Sequence, residues 1–367
     1  MELLPLEMTP KERLAAYGAG QEVDRIPATL SAGETGCLSL LGIPISEYYF
    51  SADIMVEIES FLADNTGADN LGMGLGLRTL AEALGTKMAY PRDGVSYVEV
   101  PGLDDLADVE GRQVVNVRTD GRLPILVEAF KRLQDKYGDV RGVGSGLAGP
   151  FTTATNLFGT ERFLKATRKD PEGVHRLLQY TTDCVVACTR DLHNILGIGF
   201  SLSEPLGSRN LLSKKQFNEF FVPYLRQCVE RMSEFQPAPT LHICGRTSDR
   251  WDEVVDTGIS GFWVDNCEDL SELKQRHGDR IGISGNVAPV EVLRNGTPTQ
   301  IGDAVRACLE AAADSPCGFS LCPGCTTPVG TSLENMVAFM NAAAVYGRGA
   351  KKGCRPRGLI EEDTLRL

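Results

Sequence analysis

The sequence predicts a (β/α)8 TIM-type barrel with an added N-terminal helix and a β-hairpin. Three observations carry that expectation. From residue 171 onward, apolar strand-like runs alternate with amphipathic helical stretches, the mark of parallel β/α units. Five such runs fall in the second half and about three in the first, the count a closed barrel needs. Polar and sulfur-bearing residues collect just past the runs: Glu204, His242 with Cys244, Asp265 with Asn266, Gly285 with Asn286, and Cys322 with Cys325. In a barrel those ends ring one mouth, where active sites sit. An open doubly wound sheet is the competing fold, but no Gly-x-Gly-x-x-Gly after an early strand supports a dinucleotide site.

Taken in order, residues 8–19 read as a short amphipathic helix opened by Thr-Pro-Lys-Glu, a capping pattern. Asp24-Arg25-Ile26-Pro27 then leads into a buried strand ending near Leu30. Residues 52–65 have helical apolar spacing, and 69–73 form the next strand. Residues 87–100 alternate around Arg92-Asp93-Gly94, which suggests a β-hairpin laid across the main body. A helix over 122–137 precedes a Gly-rich strand at 141–147. Strands then follow at 198–203, 239–244, 261–264, 280–284 and 318–321. Helices separate them at 171–195, 213–235, 249–257, 268–275 and 297–313, and 335–346 closes the series. Residues 1–347 thus read as one barrel domain. Residues 348–367, basic and then acidic with Pro and Gly, read as an arm over the surface or a partner contact.

Composition narrows the function. A net charge of −12 argues against a nucleic-acid groove. No apolar run approaches membrane-spanning length, and the N-terminus lacks the basic start and apolar run of a signal peptide. The 11 cysteines do not form a disulfide-framework pattern, and several sit in helix-like stretches, so a reducing cytoplasm is expected.

The candidate chemistry centres on two strand ends. On a strand, residues i and i+2 share a face, so His242 and Cys244 leave the backbone side by side. Cys322-Pro323-Gly324-Cys325 ends a second apolar strand and brings two more thiols. One imidazole and two thiolates make a good partial shell for zinc, and an open fourth position would make that zinc catalytic. Buried thiols as plain core residues are the bland alternative.

These stretches resemble the uroporphyrinogen decarboxylase superfamily, and within it the zinc- and corrinoid-dependent methyltransferases. Ser284-Gly285-Asn286-Val287 and Asn295-Gly296-Thr297-Pro298 carry the superfamily resemblance. His242-Ile243-Cys244 with a late Pro323-Gly324-Cys325 resembles the methyltransferase branch. Decarboxylation fits poorly, because the loop Leu30-Ser31-Ala32-Gly33-Glu34-Thr35-Gly36-Cys37 has no arginine for a many-carboxylate substrate. The resemblance implies a barrel, with zinc on His242, Cys244 and Cys325. Cys322 competes with Cys325 and reads as a buried strand-end thiol. Glu204 is expected as a fourth, exchangeable ligand, as a partner orienting His242, or as a helix N-terminal carboxylate. Asp265, Asn286 and Glu34 are the candidates for holding substrate. His175, His193 and His277 read as surface or satisfied core histidines.

Two reactions fit the resemblance. One takes a methyl group from a small methylated donor, such as an aryl methyl ether, to Co(I) of a corrinoid (cobalamin). The other moves it from methyl–Co(III) to a small thiol such as coenzyme M. No corrinoid-binding Asp-x-His-x-x-Gly stands in the chain, so the cobalt is expected on a partner corrinoid protein or as free cobamide. The sequence reading leans to the ether. Glu204 stands where coenzyme-M enzymes typically carry aspartate, and arginine outnumbers lysine. A homodimer is a candidate assembly.

Overall fold

Six short strands build most of the wall: Ser145–Ala148, Phe200–Ser203, Thr240–Ile243, Gly261–Val264, Gly282–Val287 and Phe319–Pro323. Each pairs in parallel with the next. Their side chains alternate between two environments, as a pleated strand requires. Leu202, Leu241, Phe262, Ile283 and Leu321 are buried outward against the helix layer. Ser201, Ser203, Trp263, Ser284 and Ser320 point the other way and line a central cavity. The computed structural model describes residues 1–365 and confirms the predicted barrel.

The ring closes through two irregular strands. Ala28 bridges Leu321 in parallel, and the Thr29 N–H donates to the Leu321 carbonyl at 2.9 Å. The Asp69 N–H donates to the Ala28 carbonyl at 3.0 Å. Asn70–Leu71 pairs in parallel with Gly142–Val143, and Gly76 bridges Leu147. A ladder this short holds little by itself, and a buried ion cluster supports it. Arg13, from the helix Pro10–Gly18, reaches Asp24 at 2.6 Å and also bonds Asp69. Arg25 reaches Asp69 at 2.7 Å. Asp69 also accepts the Ala28 N–H at 2.7 Å, so both its charge and its lone pairs are matched.

The structure adds detail to three expectations. The chain after residue 347, expected as an arm over the surface or a partner contact, packs on the body of the protein. Arg348–Ala350 pairs antiparallel with Val23–Arg25, and Leu359 in the helix Arg357–Leu365 is buried. A domain boundary at 347 would therefore cut through a sheet; residues 366–367 lie outside the described residues. The helix expected over 213–235 is interrupted by a wide turn at Phe217–Phe221, just before Pro223. That turn buries Phe217, Phe220 and Phe221 together. The hairpin is present, as Lys87–Ala89 paired with Tyr97–Val100.

Candidate active site

His242 and Cys244 leave their strand on the same inward face, as the two-residue period dictates. Gly245 follows with φ +74°, a left-handed turn that a side chain disfavours. Its N–H donates to Asp265 Oδ2 at 2.8 Å, which fixes the turn just past Cys244. From the strand Phe319–Pro323, the chain turns through Gly324 and brings Cys325 across the mouth. The sulfurs of Cys244 and Cys325 stand 3.6 Å apart, and His242 Nε2 lies 3.1 Å from Cys244 Sγ. All three ligand atoms fall within 4.8 Å of one another.

This donor set fits zinc. Two thiolates at ~2.3 Å from one tetrahedral ion stand roughly 3.8 Å apart, close to the observed sulfur separation. His242 is oriented for ligation: its Nδ1 faces the Trp263 carbonyl at 3.0 Å, so that nitrogen donates and Nε2 keeps its lone pair. Trp263 braces the other half of the site as well, donating from Nε1 to the Pro323 carbonyl at 2.7 Å. The thiols are already unequal. The Cys325 thiol is pushed below its ordinary range, chiefly by the hydrogen bond that Cys244 donates to it, against an opposing push from burial. Cys244 is driven upward by that same donation, with burial adding to it.

The other predicted residues divide. Glu204 is fully buried and turned to the start of the helix Pro150–Phe158. It accepts from the Phe151 N–H at 2.9 Å, the Thr152 N–H at 2.7 Å and the Thr152 hydroxyl at 2.5 Å. Its carboxylate therefore caps a helix and lies outside the ligand group, as a helix N-terminal carboxylate rather than a metal ligand. Burial still pushes its pKa up to about 7, against those three donors. Asp265 ties turns, accepting from Gly245 and from the Cys267 N–H at 3.0 Å. Asn286 is a buried strut, donating to the carbonyls of Asp265 at 3.1 Å and Glu268 at 2.8 Å. Neither side chain, expected to hold substrate, is among those lining the cavity. Glu34 does line it. Burial raises the Glu34 pKa, while Tyr49, Arg122 and Arg78 oppose the shift. Cys322 is buried, its thiol raised by burial, and it stands outside the ligand group.

The uroporphyrinogen decarboxylase (URO-D) family model matches residues 9–346. The chain belongs to the uroporphyrinogen decarboxylase family. Within that family it is similar to a methylated-thiol–coenzyme M methyltransferase of Methanosarcina mazei, 27% identical over 98% of this chain and 94% of the relative. It is also similar to a methylcobamide:CoM methyltransferase of Methanosarcina acetivorans, 26% identical over 93% of this chain and 99% of the relative. Among solved structures, a methyltransferase from Methanosarcina mazei superposes with a TM-score of 0.81 at 25% identity, covering 92% and 98% of the two chains.

On this URO-D scaffold, sequence reasoning missed two contributors. Trp263 holds both halves of the ligand group, and its signal was its place on the strand next to His242. Arg78 follows the Gly-rich second strand and lines the cavity. Of the three remaining histidines, two are hydrogen-bonded as expected, and the buried His277 has only an acidic neighbour. His175 meets the Tyr224 hydroxyl at 2.9 Å, His193 the Ile198 carbonyl at 2.8 Å, and His277 Asp252 at 3.1 Å.

Proposed function

We propose that this protein is a corrinoid-dependent methyltransferase that moves a methyl group from a methylcobamide to a small thiol such as coenzyme M. The observation that carries the reading is the ligand group of His242, Cys244 and Cys325 on the wall of the wide cavity that runs through the barrel. Zinc held there would supply a Lewis acid that keeps a bound thiol as thiolate at neutral pH. The chain's own residues set the geometry. Trp263 fixes the His242 tautomer and braces Pro323, and Asp265 pins the turn after Cys244. With Glu204 engaged by the Pro150–Phe158 helix, the three ligands leave a fourth position for substrate. In the transfer, sulfur forms a bond to the methyl carbon. The cobalt–carbon bond breaks with its electron pair left on cobalt, giving Co(I).

The named relatives support the thiol over the ether, since their names carry a thiol and coenzyme M. A displaceable Glu204 ligand would have suited an ether substrate, and that carboxylate is instead held by the Phe151 and Thr152 donors. A corrinoid protein as carrier of the cobamide belongs to the same proposal. All 11 cysteines are free, which fits a reducing cytoplasm. Among the described residues, no helix is long and apolar enough to cross a membrane.

The test is methylcobalamin with coenzyme M under reducing anaerobic conditions. We expect the methylcobalamin spectrum to give way to that of Co(I), with methylated thiol formed in equal amount. Methyl loss from a methoxy-aryl donor to Co(I), with no reaction of any thiol, would overturn the reading.

A further inference from the structure

We propose that Arg78 is the recognition point for an anionic group, a sulfonate or carboxylate, carried by the small thiol at the end remote from sulfur. The proposal rests on the thiol-methylation reading and assigns the specificity of the same site.

The cavity has a volume of about 1140 Å³, far more than a two-carbon thiol fills. A small substrate in so wide a space needs a second fixed point besides its sulfur, or it samples many poses. The ligand group supplies the first point, on the strands Thr240–Ile243 and Phe319–Pro323. The lining offers two guanidiniums for the second, Arg78 and Arg122, and no lysine among the described residues.

Arg122 is already engaged. It donates to Glu82 at 2.8 Å, the Thr79 hydroxyl at 2.8 Å, the Tyr90 hydroxyl at 3.1 Å and the Tyr49 carbonyl at 3.2 Å. Arg78 differs in each respect. It is half-buried, and among the described residues its guanidinium makes no hydrogen bond or ion pair, feeling only the charge of Glu34. Its guanidinium donors are free and open to the cavity, so an anion entering there can take them. Its planar fork matches the paired oxygens of a carboxylate or sulfonate.

Glu34 lies on the short helix Gly33–Gly36, past the first barrel strand, and lines the same cavity. A corrinoid also carries an anionic phosphodiester, so the test must separate the two possible owners of the charge.

The experiment compares wild type, Arg78→Gln and Arg78→Lys with free methylcobalamin as donor. The acceptors are 2-mercaptoethanesulfonate, 3-mercaptopropionate and the neutral 2-mercaptoethanol. Arg78→Gln should raise KM for the two anionic thiols by roughly 10- to 100-fold, the range of a charged hydrogen-bonded contact. It should leave kcat/KM for 2-mercaptoethanol within about 2-fold. Arg78→Lys should fall between, keeping charge without the fork. Equal loss with all three thiols would overturn the proposal, as would a rise in KM for methylcobalamin whatever the thiol. Binding of ethanesulfonate, which has the anion and no thiol, is measured separately by calorimetry. Wild type should bind it and Arg78→Gln should not; equal binding, or none by wild type, overturns the site. A wild type that binds ethanesulfonate but methylates no thiol sinks the thiol-transfer reading and leaves the anion site standing.

Discussion

The two sides of the barrel are built differently. From Ser145 to Pro323 the wall is a continuous parallel ladder, and it carries the His242, Cys244 and Cys325 group. On the other side, residues 26–30 and 70–76 join the wall by isolated bridges and a two-residue pairing. Buried charges among Arg13, Asp24, Arg25 and Asp69 hold that side, and it carries Glu34 and Arg78. Three ligand atoms held within 4.8 Å of one another need stiff support, which a ladder supplies. A surface that recognises substrate tolerates longer excursions between strands, and the segments after residues 30 and 77 are long.

The sharpest test of this division pairs one residue from each side. Cys244→Ala should reduce bound zinc by ~100-fold or more in affinity and abolish turnover, with the unfolding midpoint nearly unchanged. Metal analysis and a denaturation curve read both. Asp69→Asn should do the reverse: it leaves two buried guanidiniums under-compensated and should cost ~3–5 kcal/mol of stability. If Cys244→Ala unfolds the chain, or Asp69→Asn does not weaken it, the division fails.

A smaller effect is expected from Glu59, on the helix Ala52–Thr66 behind the irregular side. Burial pushes its carboxyl to about 7, and its hydrogen bond from Tyr48, at 3.5 Å, opposes this only weakly. The folded pKa lies above the unfolded one, so the fold prefers the protonated form. Stability from this group is therefore greatest below about pH 4.5, falls as pH rises toward 7, and then levels, a span of about 3 kcal/mol. Glu59→Gln should be more stable than wild type at pH 8 and equal to it at pH 4.5. A constant difference between the two across that range would remove Glu59 as the source.

The smallest effect belongs to Cys322. Cys322→Ser should keep turnover within about 2-fold, whereas Cys325→Ser should lose it, because only Cys325 joins the ligand group. Comparable losses would mean that the strand end repositions between the two thiols.

The laddered side was legible because its strands are apolar runs bounded by helices. Expected and observed limits agree for Gly261–Val264 and nearly so for Thr240–Ile243. Period two on that strand placed His242 beside Cys244 correctly. The irregular side was legible only as a count, since an isolated bridge such as Ala28 to Leu321 leaves no periodic trace. Glu204 shows a different limit. Its strand lies next to that of His242, so topology put the carboxylate near the ligand group. Its direction was set by donors from the preceding β/α unit, Phe151 and Thr152, which strand spacing does not reveal. Gly149 was the available clue, because a side chain there would collide with the Glu204 carboxylate. Asn286 misled for a similar reason: an amide at a strand end suits a ligand or a strut equally, and two carbonyls claimed it.

The inward serines give the barrel a mechanical character. Barrels of this kind normally fill their axis with branched side chains that touch across it. Here Ser201, Ser203, Ser284 and Ser320 face a cavity, and Trp263 is the bulky exception. The load is therefore carried around the circumference, as in a hoop rather than a ball. A hoop yields at its weakest joint, and that joint is the short stretch from Ala28 through Leu71 to Gly76. Amide exchange should release the N–H groups of Thr29, Asp69 and Leu75 well before those of Leu202 or Ile283, with the joint opening while the ladder stays closed.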